Sequence, residues 1–368
     1  MRILILNWRD VKHPRAGGAD MRLHHVYAPL TRQGHEVILY ACAFPGCEKQ
    51  EQIDGIEVHR LGNDFTFSFL CMMKLRGWVK KHKPDVVVED LNKLPFYSPV
   101  VYKGPLVIQM HHLWRSSIFK ETIFPMALFI WLSEESIRWI YRKCNFSVVS
   151  ESTRDELVKM GISKSQIKII YNGADLTAYL PSAKKERELF ILWIGRLQKY
   201  KGPTDAVDVL EKLRPDFPAL KLVIVGSGPF KEKLATYIRE KGLEDKVTLT
   251  GFISEEEKID LLQRASVHLQ SSYKEGWGLS VIEANACGCP VVANNTTGLR
   301  DSVVDGESGL LYCFRNNDHA AFQIRNILNS APLQSQLIDG GIKRAKAFSW
   351  DRNSSEMLHY LQEIVETK

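Results

Sequence analysis

Glu275-Gly276-Trp277-Gly278-Leu279-Ser280-Val281-Ile282-Glu283-Ala284-Asn285-Ala286-Cys287-Gly288-Cys289-Pro290 is the stretch on which the reading of this chain turns. A loop with two glycines runs straight into an apolar-periodic helix, and Glu275 and Glu283 bracket the junction eight residues apart. Gly276 and Gly278 allow backbone to approach a ligand closely. The first N–H groups of the helix, around Leu279 and Ser280, have no partner inside it and, with the helix dipole, favour an anion. Glu275 in the loop and Glu283 one turn into the helix then flank one bound molecule. Backbone donors for phosphate beside carboxylates for hydroxyls suit a nucleotide sugar.

Outward from this stretch, short β-rich runs alternate with helix-length segments twice over. In the first half the runs are 2–7, 36–40, 56–60, 85–89, 106–110 and 146–150; in the second, 190–194, 221–225, 247–250, 266–270 and 290–293. That alternation predicts an α/β protein of two Rossmann-like domains with parallel sheets. A chain of 368 residues is too long for one compact core, in agreement. The linker is expected at Leu180-Pro181-Ser182-Ala183-Lys184-Lys185-Glu186-Arg187, giving domains 1–180 and 181–349.

Composition is that of an ordinary globular protein, 45% hydrophobic and 25% charged. The seven scattered cysteines contain no Cys-x2-Cys pair, which supports neither a disulfide framework nor a zinc site. The chain opens on a strand and lacks the features of a signal peptide, so a cytoplasmic protein is expected. The net charge of +6 lies entirely in the first half, with 24 Lys/Arg against 18 Asp/Glu up to residue 180 and 25 against 25 afterwards. That asymmetry fits an anionic partner or surface, and equally a scattered solvated face. The aromatic-basic stretch Trp114 to Lys143 carries an apolar run, Ile123 to Leu132, too short to span a bilayer. Such a stripe is more commonly a helix packed on its own core; the alternative is an interfacial helix resting peripherally on the inner membrane face.

Glu275-x7-Glu283, followed by Glu-Ala-x-Ala-Cys-Gly-x-Pro-Val-Val-Ala, resembles family 4 of the retaining glycosyltransferases, whose GT-B fold has two Rossmann-like domains facing each other across a cleft. Other pieces fall in the family's order: Gly17-Gly18-Ala19-Asp20, Ser150-Glu151-Ser152-Thr153, Asn172-Gly173-Ala174-Asp175, Gly195-Arg196-Leu197 with Lys201-Gly202, Gly226-Ser227-Gly228-Pro229, and Phe348-Ser349-Trp350. The resemblance covers nearly the whole chain. It implies a donor site in the C-terminal domain, an acceptor site in the N-terminal one, and a last helix, 350–368, that returns to the N-terminal domain.

Arg196 and Lys201 follow the strand 190–194, at the carboxyl end where open α/β sheets place their sites. Two cations there neutralise a diphosphate leaving group. The resemblance makes Glu275 the contact for the donor sugar's hydroxyls and Glu283 the acceptor for the ribose diol, which suits an acceptor-only carboxylate. The base is placed near Gly251-Phe252-Ile253, and Gly226 in a loop lining the donor cleft. Gly17 and Gly18, amid Asn7, Arg9, Asp10, Lys12, His13 and Arg15, offer backbone N–H groups to the leaving phosphate or the acceptor, although a plain strand-to-helix turn reads the same way. His111 matches the family histidine that meets the transferred sugar; His112 stands where aspartate is common. Glu151 is an acceptor-side candidate beside a capping Ser150 or Ser152. Lacking any Asp-x-Asp or clustered His/Cys/Asp ligands, the chain is expected to work without metal and without a cofactor other than its nucleotide-sugar co-substrate.

These expectations converge on a retaining, metal-independent glycosyltransferase acting on a glycan, lipid-linked or small-molecule acceptor, with no nucleic-acid partner. A nucleotide-sugar epimerase, a phosphorylase on the same fold and a non-catalytic nucleotide or glycan binder are the rivals. An epimerase converts donor without acceptor, a phosphorylase carries pyridoxal phosphate, and a binder shows no turnover.

Overall fold

A computed structural model describes residues 1–91, 94–182 and 187–367. The chain divides into two compact units, Met1–Asn172 with Trp350–Lys368, and Gly173–Ser349. The first boundary thus falls before the expected linker. Ala174 bridges to Ser349 and its N–H donates to the Phe348 carbonyl (3.0 Å), which ties the segment after Asn172 to the second unit. Of the linker itself, residues 183–186 lie outside the described residues.

Unit 1 is built on eight strands: β1 (Arg2–Leu6), β2 (Glu36–Cys42), β3 (Gln50–Ile53), β4 (Ile56–Leu61), β5 (Val86–Leu91), β6 (Leu106–Met110), β7 (Asn145–Val148) and β8 (Ile167–Ile169). Their order is β3-β4-β2-β1-β5-β6-β7-β8, parallel except for the β3–β4 hairpin. Strands buried on both faces, such as Val86-Val87-Val88, read as continuous apolar runs because helices cover both sides. The order reverses at β1, so the loops after β1 and β5 open at a switch point. The helix Trp350–Glu366 closes this unit: Ser354 donates to the Val26 carbonyl (2.7 Å), Trp350 stacks on His25 (4.9 Å), and the Tyr360 hydroxyl donates to Phe146 (3.1 Å).

Unit 2 holds six parallel strands, β9 (Glu188–Ile194), β10 (Lys221–Val225), β11 (Val247–Gly251), β12 (Ala265–Gln270), β13 (Val291–Asn294) and β14 (Leu310–Tyr312), ordered β11-β10-β9-β12-β13-β14. Here the reversal lies at β9, between β10 and β12.

Three strands were not expected from sequence: β3, β8 and β14, all short and at or beside a sheet edge. Edge strands bury one side at most, so Gln50-Glu51-Gln52-Ile53 carries little apolar signal. The turn residues Asp54 and Gly55 (φ 45° and 86°) are the two-residue hairpin signal that places β3.

The helix Phe124–Glu135 departs from the core-packed reading. Ile123, Phe124, Phe129, Leu132 and, beyond its end, Trp139 are more than half exposed. Its acids turn inward: Glu134 accepts the N–H groups of Trp114 (2.6 Å) and Arg115 (2.7 Å), and Glu135 pairs with Arg115 and Arg138. Among the described residues no helix is long and apolar enough to cross a membrane.

Candidate functional site

In unit 2 the site grows from the carboxyl ends of β9 and β12, on either side of the switch point. After β9 the chain passes Gly195 and Arg196 into a turn, Lys199–Lys201, and then Gly202, whose φ of 67° belongs to the left-handed region. A Cβ on Gly202 would lie 2.6 Å from the Ser271 carbonyl, so only glycine lets the two loops meet. Ser271 locks the junction, donating to the Gly202 carbonyl (2.7 Å) and accepting from the Trp193 indole (2.9 Å).

That contact brings Lys201 to Glu275: Nζ donates to Oε1 at 2.5 Å, with the two side chains 18% and 14% exposed. Ser272 donates to the same oxygen at 2.8 Å. One carboxylate oxygen therefore carries both bonds, and Oε2 takes neither. Burial pulls the Lys201 pKa down, but the charge and hydrogen bond of Glu275, with Tyr200, outweigh it and leave the value raised against the nearby positive Arg196. The Glu275 loop is itself held: Asn294 donates to the Ser272 carbonyl (3.0 Å) and Thr296 to that of Tyr273 (2.9 Å). Gly298 passes so close that a Cβ there would sit 2.5 Å from the Glu275 carbonyl.

The helix Leu279–Ala286 begins on Gly278, at φ 113°. Val281 donates to the Gly278 carbonyl (3.0 Å), which leaves the N–H groups of Leu279 and Ser280 ahead of the first intrahelical bond. The Ser280 hydroxyl points inward. It accepts from Gln270 (2.9 Å) and lies 3.2 Å from Nε2 of His268, a ring kept neutral by burial, which lowers its pKa to about 4, while its Nδ1 bonds the Leu192 carbonyl. Ser280 thus presents backbone, not side chain.

Glu283, 7% exposed, meets Lys258 Nζ at 3.2 Å. Lys258 also contacts Glu255 (3.0 Å) and sits over the Tyr179 ring (5.1 Å). Sequence reading missed Tyr179, Glu255 and Lys258. Ser254-x-x-Glu257, a capping box that starts the helix Glu255–Arg264, was the available signal for the last two.

The fold itself demands Gly226, on the loop expected to line the donor cleft. A Cβ on it would lie 2.0 Å from the Gly195 carbonyl, and one on Gly228 2.3 Å from that of Leu197. The loop after β10 thereby supports the Arg196 loop from below, with Leu197 donating to Ser227 (2.9 Å). Phe252 is 88% exposed and Ile253 half-buried, at the end of edge strand β11 and just ahead of the helix that carries Lys258.

In unit 1, Asp90 and His111 lie at the ends of β5 and β6. His111 Nε2 is 3.0 Å from Oδ1 of Asp90 and 3.2 Å from Oδ2, with both residues buried. The His111 carbonyl accepts from Thr153 (3.2 Å), in the helix Glu151–Lys159 capped by Ser150. Glu151 faces outward at 57% exposure, 3.6 Å from Arg154. His112 sets its ring edge-on to Trp114 at 5.2 Å.

Gly17 precedes the helix Gly18–Arg32 with an ordinary extended backbone, and a Cβ on Gly18 meets nothing within 4 Å. A side chain at Gly18 would thus meet open space. Asp20 accepts from Gly17 N–H (2.8 Å) and Asn7 (3.1 Å), and burial raises its pKa to about 6. The polar residues around this loop hold one another: Asp10 takes Arg60 in a two-pronged pair (2.7 and 3.0 Å), Arg9 and Arg15 take Asp64, and Lys12 takes Glu51. Contrary to the expected lack of a clustered ligand set, His13, Cys42 and Asp64 bring one ligand atom each within 4.8 Å of one another. Sequence separation hid this trio, and the two guanidinium groups on Asp64 oppose a cation there.

The family described as glycosyl transferases group 1 matches residues 178–344, and glycosyltransferase family 4 matches residues 16–178. Glycogen synthase of Mycobacterium tuberculosis is 26% identical over 371 residues, spanning 89% of this chain and 86% of that protein. Among solved structures, a sucrose-phosphate synthase of Thermosynechococcus elongatus superposes with a TM-score of 0.85 at 21% identity, covering all of both chains. Anabaena HepE in complex with UDP-glucose superposes at 0.78 with 19% identity, covering 99% of this chain and all of that one. The chain belongs to glycosyltransferase family 4 and has the GT-B fold of two Rossmann-like domains.

Proposed function

We propose that this glycosyltransferase moves a sugar from a nucleoside diphosphate sugar with retention of anomeric configuration and without a metal ion. The Lys201–Glu275 pair carries the reading. It places an ammonium with two further donors beside a carboxylate whose second oxygen accepts neither the Lys201 nor the Ser272 bond, at the carboxyl ends of β9 and β12 and near the helix that starts at Gly278. Lys201 and Arg196 serve the diphosphate, with the Leu279 and Ser280 N–H groups; Glu275 orients the sugar hydroxyls; Glu283 accepts the ribose diol. That a structural neighbour holds UDP-glucose supports the donor class.

In this reading Glu275 accepts from Lys201 and Ser272 through one oxygen and gives the other to the sugar hydroxyls, so it is not the nucleophile of a double displacement. A front-face substitution suits these groups. The bond from the anomeric carbon to the phosphate oxygen breaks, the acceptor oxygen bonds that carbon on the same face, and the acceptor proton passes to the departing phosphate. His111, held by Asp90, and the open backbone at Gly17 and Gly18 form the acceptor side of unit 1. The acceptor is a glycan or lipid-linked glycan. The uncovered helix Phe124–Glu135, with Trp139 and nearby basic residues, supports peripheral contact with lipid, since each basic side chain near an anionic surface contributes about 1 kcal/mol.

Incubation with α-linked UDP-, GDP- and ADP-glucose and a panel of acceptors, read by proton NMR, tests the proposal. Retention predicts an α-linked product; a β-linked product rules it out. For the membrane contact, the protein should sediment with anionic vesicles at low salt and be released by high salt, and Phe129→Glu with Leu132→Glu should abolish it. Absence of binding at low salt refutes this part alone.

A further inference from the structure

The helix Glu255–Arg264 is started by a reciprocal cap, in which Ser254 accepts the Glu257 N–H (3.1 Å) and Glu257 accepts that of Ser254 (2.8 Å). This fixes the helix so that Lys258, in its first turn, faces Glu283. Nζ lies 3.2 Å from the Glu283 Oε1 and 3.0 Å from the Glu255 Oε1, above the Tyr179 ring. The Tyr179 hydroxyl donates to Glu255 and also serves Glu283. The titratable groups facing Glu283 are thus Lys258 and Glu255 from one helix, Tyr179 from the segment that opens unit 2, and Cys287 just past its own helix.

Glu283 is almost wholly removed from water, whereas Glu255 is 58% exposed. A carboxyl group so enclosed reverts to the neutral acid unless a cation compensates it. Burial is the largest influence on Glu283 and raises its pKa; the Lys258 charge is the largest that opposes it, and Glu255 adds to the rise. The neutral acid would carry an O–H donor on one oxygen and so lose the pair of equivalent anionic acceptors that a vicinal diol engages.

We propose that Lys258 is a positioning residue: it holds Glu283 as an ionised, acceptor-only carboxylate in the orientation that receives both ribose hydroxyls of the donor nucleotide. This rests on the assignment of Glu283 to the ribose. The four-membered cluster of Glu283, Lys258, Glu255 and Tyr179 is then part of the binding machinery, although only Glu283 touches the ligand.

Proton linkage separates this role from a structural one. The diphosphate of a nucleoside diphosphate sugar is doubly esterified and exchanges no proton between pH 6 and 8.5. Calorimetric titration with whichever of UDP-, GDP- or ADP-glucose binds the wild type most tightly therefore reports protons on the protein. The wild type should bind with an affinity that is level across this range. Lys258→Met, which keeps the stem over Tyr179, should lose affinity as pH falls, by up to about tenfold per unit below the raised Glu283 pKa, and should release up to one proton on binding, seen by changing the buffer. Lys258→Gln, neutral but hydrogen-bonding, should show the same acid limb, and Lys258→Arg should restore the level profile. A level profile without proton release in Lys258→Met or Lys258→Gln overturns the proposal, even where affinity is lower. Glu283→Gln binding as tightly as wild type overturns instead the ribose assignment beneath it.

Discussion

Lys201→Met breaks the pair at the centre of the site while keeping most of the side-chain volume. The consequence for stability follows from burial: with 18% and 14% exposure the pair is largely shielded, and the change leaves Glu275 with the Ser272 hydroxyl as its hydrogen-bond donor. Breaking a buried pair costs about 3–5 kcal/mol, which residual solvent screening reduces here to about 2–3 kcal/mol. In a unit of this size that lowers Tm by roughly 5–10 °C. Because the folded-state pKa of Lys201 is raised, its contribution is fully present below the unfolded lysine range near pH 10.4 and is lost as pH climbs through the folded value. The gap in Tm between variant and wild type should therefore be constant from pH 6 to 9. Turnover should fall by about a hundred- to a thousandfold, the loss of about 2.7–4 kcal/mol from one charge-assisted donor to the transition state. Calorimetric melting and release of nucleoside diphosphate read the two effects. In a cycle with Glu275→Gln, the double variant should be more stable than the sum of the singles implies, by about 0.5–3 kcal/mol. Additive stabilities, or turnover within about threefold of wild type, would refute the pairing and its catalytic use.

Glu283→Gln should weaken binding of free nucleoside diphosphate, whereas Glu275→Gln should spare it and impair use of the nucleotide sugar; equal losses of free-nucleotide affinity contradict that division. Activity should persist in a metal chelator, and a complete loss restored by a divalent ion would show that Lys201, Arg196 and the helix start do not balance the diphosphate. Burial raises the Asp20 pKa from 3.8 to about 6, so the folded state keeps a proton that the unfolded chain has lost, and stability falls as pH rises through that window. Asp20→Asn, which still accepts the Gly17 N–H, removes this dependence: urea melts should show its stability relative to wild type rising by about 2 kcal/mol between pH 4 and 7, and a difference independent of pH would refute the assignment.

What was legible in the sequence was what sequence-local chemistry dictates. Doubly buried parallel strands announce themselves as apolar runs, and the paired glycines and glutamates at 275–283 mark a loop and helix start that the structure contains. Gly226 was visible as a glycine, but the packing that demands it was not, because the 2.0 Å approach of a Cβ to the Gly195 carbonyl arises between two loops far apart in sequence. The Lys258–Glu283 contact and the trio His13, Cys42 and Asp64 were hidden for the same reason, being made by tertiary packing. Phe124–Glu135 could be read either as core or as an interfacial helix, because its apolar content resembles that of a buried helix. Only the inward turn of Glu134 and Glu135 reveals that its apolar side is left uncovered.

The account stands on a nucleoside diphosphate sugar bound by Arg196, Lys201, Glu275 and Glu283. Thermal unfolding of the wild type and of Arg196→Ala with UDP, GDP, ADP and their glucose esters tests this most directly. One nucleotide series should stabilise the wild type by about 2.7 kcal/mol at a hundredfold excess over its Kd, and Arg196→Ala should lose most of that gain. Stabilisation by no nucleotide, or equal stabilisation of both proteins, would contradict it.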